Sequence, residues 1–269
     1  MIEENSFIFY DDIVESGEFF MSITKKKIYL ILLIFVVFIS VVIFNDVSIS
    51  RVIYNPTSDF ARFFEIVSTL PLNIIGVFGS MALIMTAKHK MNFSTIVSYG
   101  IGFVLLALFA VYGCNRFTHA LPEGTTLIMV TTVGWIYTSI VLVGFIMKSG
   151  YKQELRNAAV VMVIGSCVAV FGPMIIKCCI ANLTFPSSLS AQSTLSLCVL
   201  LVPSFVKKLD TKKYYQIAGT IAGLFILCVM LFCMILGLNY ATDVCTGAIL
   251  TIFTMMLVNL YVQKKGKVE

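Results

Sequence analysis

Charged side chains are scarce in this 269-residue chain, where Asp, Glu, Lys and Arg together make up only 12% of the residues. Soluble domains carry about 25%. Hydrophobic residues account for 59% of the chain, and its mean hydropathy is +0.96. This composition excludes an ordinary soluble domain and predicts an integral membrane protein.

The apolar stretches also lack the period-two alternation of barrel strands. Because backbone amides in lipid must be satisfied within the protein, helices or closed barrels are the only structures that span it. Several stretches reach the roughly 20 residues that a spanning helix needs. We therefore predict an all-α, polytopic membrane bundle of about eight transmembrane helices. The predicted spans are 28–45, 71–87, 93–114, 125–147, 157–177, 189–206, 214–237 and 243–263.

Metal-binding patterns are missing as well. The chain has eight cysteines and two histidines, but no C-x-x-C pair, and neither His89 nor His119 is at ligand spacing from a cysteine. We expect no metal and no cofactor, and interpret the cysteines as small apolar packing residues.

The 19 lysines and arginines are distributed unevenly between the two sides of these predicted spans. With the N-terminus inside, only Arg51, Arg62, Arg116 and Lys177 fall on the outer side. The positive-inside rule therefore predicts that both termini are cytoplasmic, and we assign the protein to the plasma membrane. The basic residues are scattered in short inner loops, so no nucleic-acid partner is expected.

Three regions follow from this arrangement. Residues 1–27 form an acidic cytoplasmic segment, and the absence of a cleavage site after span 28–45 argues against a cleaved signal peptide. Residues 28–92 hold two N-terminal transmembrane helices, and residues 93–269 form the main membrane domain. Between the first two helices, the stretch 55–71 mixes aromatic and charged residues at helical spacing. We interpret it as an amphipathic helix at the outer interface.

Two polar stretches stand out against this apolar background. "FPSSLSAQSTLSL" (185–197) precedes and enters the sixth span, and "LGLNYATDVCTGAIL" (236–250) joins the last two spans on the same predicted side. Asp243 lies at the mouth of an apolar helix, where a carboxylate is a functional-site hypothesis. The alternative is that Asp243 caps this helix, because a helix N-terminus favours negative charge.

The first of these stretches resembles the P-S-G-H-S signature of the type 2 phosphatidic acid phosphatase (PAP2) family of membrane lipid phosphatases. The second resembles the family's third motif, S-R-x5-H-x3-D, and the two come in the family's order. The resemblance covers roughly residues 95–263. It implies a PAP2-like six-helix core with two added N-terminal helices, and an outward-facing pocket formed by the two stretches.

Position by position, the resemblance also implies that the family's chemistry is lost. Asn239 occupies the place of the nucleophilic histidine, Leu189 that of the general-acid histidine, and Cys233 that of the motif arginine. Asp243 matches the family's orienting aspartate. The first motif, K-x6-R-P, is not recognisable. Phosphoryl transfer needs a nucleophile, a proton donor and positive charge, so replacing all three leaves no route by that chemistry.

The residues that remain define a candidate binding site rather than a catalytic one. The ligand-binding candidates are Lys177, Ser187, Ser188, Ser190, Asn239, Asp243, Arg116 and His119. The expected ligand is a membrane lipid or lipid phosphate, with a membrane-protein partner or a second copy of the chain as other possible partners.

Three function classes stay open at this point. The first is a catalytically degenerate lipid phosphatase that binds or scaffolds a lipid or partner. The second is an active lipid phosphate phosphatase with rewired residues, in which His119 would supply the chemistry. The third is a lipid carrier or an immunity-type membrane protein.

Overall fold

The computed structural model describes residues 46, 48, 51–87, 93–120, 125–180 and 185–266. Every regular element in this part of the chain is helical. The helices are α1 (Asp59–Val67), α2 (Leu70–Met85), α3 (Phe93–Ala120), α4 (Thr125–Lys148), α5 (Lys152–Ile180), α6 (Ser188–Ser193), α7 (Val202–Phe205), α8 (Lys212–Ile235) and α9 (Ala241–Gly266), with 3₁₀ helices at Thr194–Leu201 and Lys207–Leu209.

Five helical segments in the described residues are long and apolar enough to cross a membrane. They are Asp59–Met85, Lys152–Ile180, Ser188–Phe205, Lys212–Ile235 and Ala241–Lys264. Two of them combine consecutive helices: α1 with α2, and α6 with the 3₁₀ helix Thr194–Leu201 and α7. Shorter apolar helical stretches are Tyr99–Tyr112 and Thr132–Lys148. The prediction of an all-helical, multi-pass membrane protein is confirmed at this level, whereas the count of eight spans stays a prediction. The predicted span 28–45 lies outside the described residues, as does the acidic segment 1–27.

The sixth predicted span is a composite of three helical segments. Ser188–Phe205 begins as α6, continues as the 3₁₀ helix Thr194–Leu201 and ends as α7. Pro203 lies near the start of α7, where its missing N–H is tolerated. The hydroxyl-rich sequence before it enters the bundle, because Ser190, Gln192, Ser193 and Thr194 are all fully buried.

Helix α2 runs antiparallel to α3 at close range. A Cβ at Gly76 would lie 2.7 Å from the Phe109 ring, and a Cβ at Gly102 would lie 2.6 Å from Ile84. Moving along α2 from Gly76 to Ile84 therefore corresponds to moving back along α3 from Phe109 to Gly102. Both glycines allow a backbone approach that a larger residue would block.

The main apolar core lies where α2, α3, α5 and the composite helix Ser188–Phe205 pack together. Its largest fully buried members are Phe109, Leu72, Leu155, Met162 and Leu195. Helix α9 packs against α5 and α6, and α8 packs against the 3₁₀ helix and α1. This packing brings the starts of α6 and α9 to the same end of the bundle, which we call the site end.

Within the stretch 55–71, residues Asp59–Val67 form the helix α1. The Ser58 hydroxyl caps α1 by accepting a hydrogen bond from the Ala61 N–H at 3.2 Å. The side of α1 that carries Phe64 packs on α8, and the Phe64 and Phe232 rings stack with centroids 4.6 Å apart. The position of α1 relative to a membrane surface stays a prediction.

Candidate functional site

The two polar stretches that the sequence pairs meet at the site end. The Ser187 hydroxyl donates a hydrogen bond to Asn239 Oδ1 at 2.9 Å, across 52 residues of sequence. The Ser187 backbone N–H donates to the Asp243 carbonyl oxygen, also at 2.9 Å. Ser187, at the start of α6, is therefore hydrogen-bonded to both Asn239 and Asp243 near the start of α9.

Ser187 also organises its own helix. It is the N-cap of α6, and its hydroxyl oxygen accepts a hydrogen bond from the Ser190 N–H at 3.4 Å. The preceding Phe185–Pro186 peptide bond is cis. A serine at an N-cap satisfies one of the free amides of the first turn, and here the same hydroxyl still has its proton to donate to Asn239.

A glycine lets α9 approach this cap. A Cβ at Gly247 would overlap the Ser187 carbonyl oxygen and would lie 3.0 Å from Ser190 Oγ. The Ser190 hydroxyl donates to the Val244 carbonyl oxygen, one turn along α9. These contacts fix the position of α6 against α9. The Ser190 hydroxyl therefore serves helix packing through its hydrogen bond to Val244.

Asp243 caps its own helix. Its side chain is only 3% exposed, and Oδ2 accepts a hydrogen bond from the Tyr240 N–H at 3.0 Å. Tyr240 directly precedes α9, so a side chain three residues later reaches back to the cap amide, as in a capping box. This geometry agrees with the capping interpretation of Asp243.

Asp46 is a site residue that the sequence analysis missed. Its Oδ1 accepts a hydrogen bond from the Ala241 N–H at 2.7 Å, and its Oδ2 accepts one from the Thr242 hydroxyl. The start of α9 thus receives a second carboxylate from a residue 195 positions away. The sequence feature that could have identified Asp46 is its position, a carboxylate directly after the predicted span 28–45.

The two positions that the sequence resemblance aligns with a general acid and an arginine lie together in an apolar cluster. Leu189 and Cys233 pack with Val229 and Val244, and Phe64 of α1 is among the partly buried residues against them. Leu189 is 8% exposed and Cys233 is 1% exposed. A phosphate bound here would lose its water without gaining a charged partner, which is strongly unfavourable.

Of the three predicted cations, only Lys177 has a side chain that the structure describes. Lys177 is half-buried in the last turn of α5, and it makes no hydrogen bond or ion pair with the residues that the structure describes. Arg116 and His119 lie in the last turns of α3, and their side chains lie outside what the structure describes. Ser188, half-buried at the start of α6, has no hydrogen-bond partner there either.

No metal centre is present among the described residues, since nowhere in them do three His, Cys, Asp or Glu side chains come together as ligands. The arrangement at the site end can therefore offer hydrogen bonds and carboxylate charge.

Comparisons with models of known protein families, with curated protein sequences and with solved structures find no match to this chain.

Proposed function

We propose that this chain is a PAP2-like membrane protein that is catalytically degenerate and that binds or scaffolds a lipid or a partner at the site end. The observation that carries the proposal is the hydrogen bond from Ser187 to Asn239. It joins the two stretches whose resemblance to the family's second and third motifs was noted in the sequence. On the predicted topology this site faces the outer side of the plasma membrane.

The loss of chemistry rests on three positions around that hydrogen bond. The Asn239 amide has no nucleophilic lone pair on nitrogen, and its oxygen already accepts from Ser187. Leu189 cannot donate a proton, a step typically worth 10²- to 10⁴-fold in rate. Cys233 lies in the apolar cluster and cannot replace a bidentate guanidinium on phosphate.

The charge at the site favours a neutral ligand over a phosphate. Asp46 and Asp243 both bring carboxylates to the start of α9, where they bind the free amides of the helix. This leaves less of the helix dipole available to an anion. Neutral hydrogen bonds contribute about 1 kcal/mol each, roughly half of what charge-assisted bonds to phosphate provide.

A vesicle titration tests this preference. Purified protein should bind a neutral diacylglycerol analogue at least as tightly as phosphatidate, and Lys177→Ala should change neither affinity by more than about twofold. Asp243→Asn keeps a capping oxygen and removes the charge, so we expect unchanged or slightly tighter phosphatidate binding. Tight phosphatidate binding that Lys177→Ala abolishes would show that the site retained a phosphate ligand, and would overturn the proposal.

A further inference from the structure

A layer of polar side chains crosses the core beneath the site end. Gln192 lies on α6, five residues after Ser187, and its side chain is fully buried. Its Nε2 donates a hydrogen bond to the Tyr112 hydroxyl on α3 at 3.0 Å. Its other polar atom, Oε1, is buried and has no hydrogen-bond partner in the described part of the chain.

Asn73 on α2 lies at the same level. The close contacts of Gly76 with Phe109, and of Gly102 with Ile84, set the register of α2 against α3. Asn73 precedes Gly76 by three residues and Tyr112 follows Phe109 by three, so in an antiparallel pair both lie about one turn toward the site end. Asn73 is 4% exposed, and its Oδ1 is also buried without a hydrogen-bond partner among the described residues.

Two amide oxygens at one level of the bundle thus have no donor among the residues that the structure describes. Buried polar groups in native proteins are almost always hydrogen-bonded, because an unpaired acceptor loses its water without replacement. The two oxygens come from different helices, and amide oxygens accept hydrogen bonds only. A molecule that satisfied both would therefore have to present donors to each.

We propose that the Asn73–Gln192 layer is a binding site for a hydroxyl group, which bridges Asn73 Oδ1 and Gln192 Oε1. The hydroxyl donor is either a water molecule, which carries two O–H groups, or a lipid headgroup with adjacent hydroxyls. Asn73, Tyr112 and Gln192 include no carboxylate, lysine or histidine, so the group that the layer binds is an uncharged hydroxyl. This site is separate from the proposed ligand contacts of Ser187, Asn239 and Asp243.

A double-mutant cycle tests the bridge. Asn73→Leu and Gln192→Met replace each amide by an apolar side chain of similar size, and unfolding is followed by SDS titration in phosphatidylcholine bicelles. A shared occupant couples the two positions, so the double variant should depart from additivity by roughly fivefold in the unfolding equilibrium constant. Additive effects in every lipid used would overturn the proposal.

Two controls locate the coupling. Ser80 also has a buried hydroxyl with no partner in the part of the chain that the structure describes, but it lies seven residues from Asn73, about 10 Å along α2. Ser80→Ala should therefore be additive with Gln192→Met.

The cycle is repeated in a Tyr112→Phe background, which removes the hydroxyl that Gln192 contacts. Coupling that survives there supports the bridging molecule, and coupling that disappears shows transmission through Tyr112 and contradicts the bridge.

The source of the hydroxyl is distinguished by lipid composition. Coupling of equal size in phosphatidylcholine and phosphatidylglycerol bicelles identifies water, because the phosphatidylcholine headgroup has no hydroxyl. Coupling that appears only with phosphatidylglycerol identifies the lipid headgroup. Both outcomes support the site.

Discussion

Ser187 joins local and long-range structure through one small side chain. Its hydroxyl accepts from the Ser190 N–H and donates to Asn239, while its backbone N–H donates to Asp243. Neighbouring Ser188 makes none of these contacts and is half-buried. Two adjacent serines therefore have different roles, which the sequence alone could not distinguish.

Ser187→Ala should destabilise the fold by about 1–2 kcal/mol, because an N-cap and a part-buried hydrogen bond are lost together. Ser188→Ala is the matched control, and it should lie within about 0.5 kcal/mol of the wild type. Both are measured by SDS unfolding in bicelles. Equal effects of the two substitutions would contradict the assigned role of Ser187.

Asp46 shows where sequence reasoning at this scale fails. Capping by Asp243 follows from local spacing, because its partner Tyr240 is three residues away. The bonds from Ala241 and Thr242 to Asp46 join residues that are 195 and 196 positions apart. Nothing in local spacing connects such positions, so only the folded packing reveals that Asp46 belongs to the site.

Asp46→Ala removes both bonds and should destabilise the protein by about 1–2 kcal/mol, as measured by thermal unfolding in nanodiscs. Asp46→Asn keeps one side-chain oxygen for the Ala241 N–H, so we expect a smaller loss. A loss as large for the asparagine variant as for the alanine variant would show that the charge, rather than the cap geometry, stabilises the start of α9.

At the scale of elements, apolar length predicted the helices well and their ends less well. Predicted span 93–114 overlaps α3, which continues to Ala120, and predicted span 157–177 overlaps α5, which spans Lys152–Ile180. The residues by which these helices exceed the predicted spans include polar or charged ones. A span predicted from hydropathy stops at such residues, although the helical hydrogen bonds continue through them. The 3₁₀ helix Thr194–Leu201 was not predicted, since hydropathy does not distinguish it from an α-helix.

Glycines at helix crossings provide a test at this scale. A Cβ at Gly247 would overlap the Ser187 carbonyl oxygen, whereas a Cβ at Gly223 of α8 would meet no atom within 4 Å. Gly247→Ala should therefore separate α6 from α9 and destabilise the protein by about 1–3 kcal/mol. Gly223→Ala should be neutral or stabilising by up to about 1 kcal/mol, because alanine favours the helix. Unfolding titrations that rank the two variants in the opposite order would contradict the described packing.

At the scale of the whole molecule, composition predicted a multi-pass helical membrane protein, and the five long apolar helices agree with it. The pairing of the polar stretches depended on a resemblance, and their contact through Ser187 and Asn239 depends on the folded bundle. The orientation in the membrane rests on the distribution of lysine and arginine alone, so it needs its own test.

Single cysteines placed in a cysteine-free background test this orientation. Positions near 152 and 210 should react with a membrane-impermeant reagent only after the membrane is permeabilised, since the positive-inside rule places them in the cytoplasm. Positions near 120 and 183 should react in intact cells. Labelling of 210 in intact cells would reverse the topology and move the site end to the inner face.

Phosphate release by the purified protein is the most direct test of the central claim, that the family-like site has lost its chemistry. With phosphatidate or polyprenyl pyrophosphate as substrate, we predict no release above that of protein-free vesicles, because Asn239, Leu189 and Cys233 supply neither nucleophile, acid nor positive charge. Robust turnover that His119→Ala abolishes would contradict this account and establish an active enzyme with rewired residues.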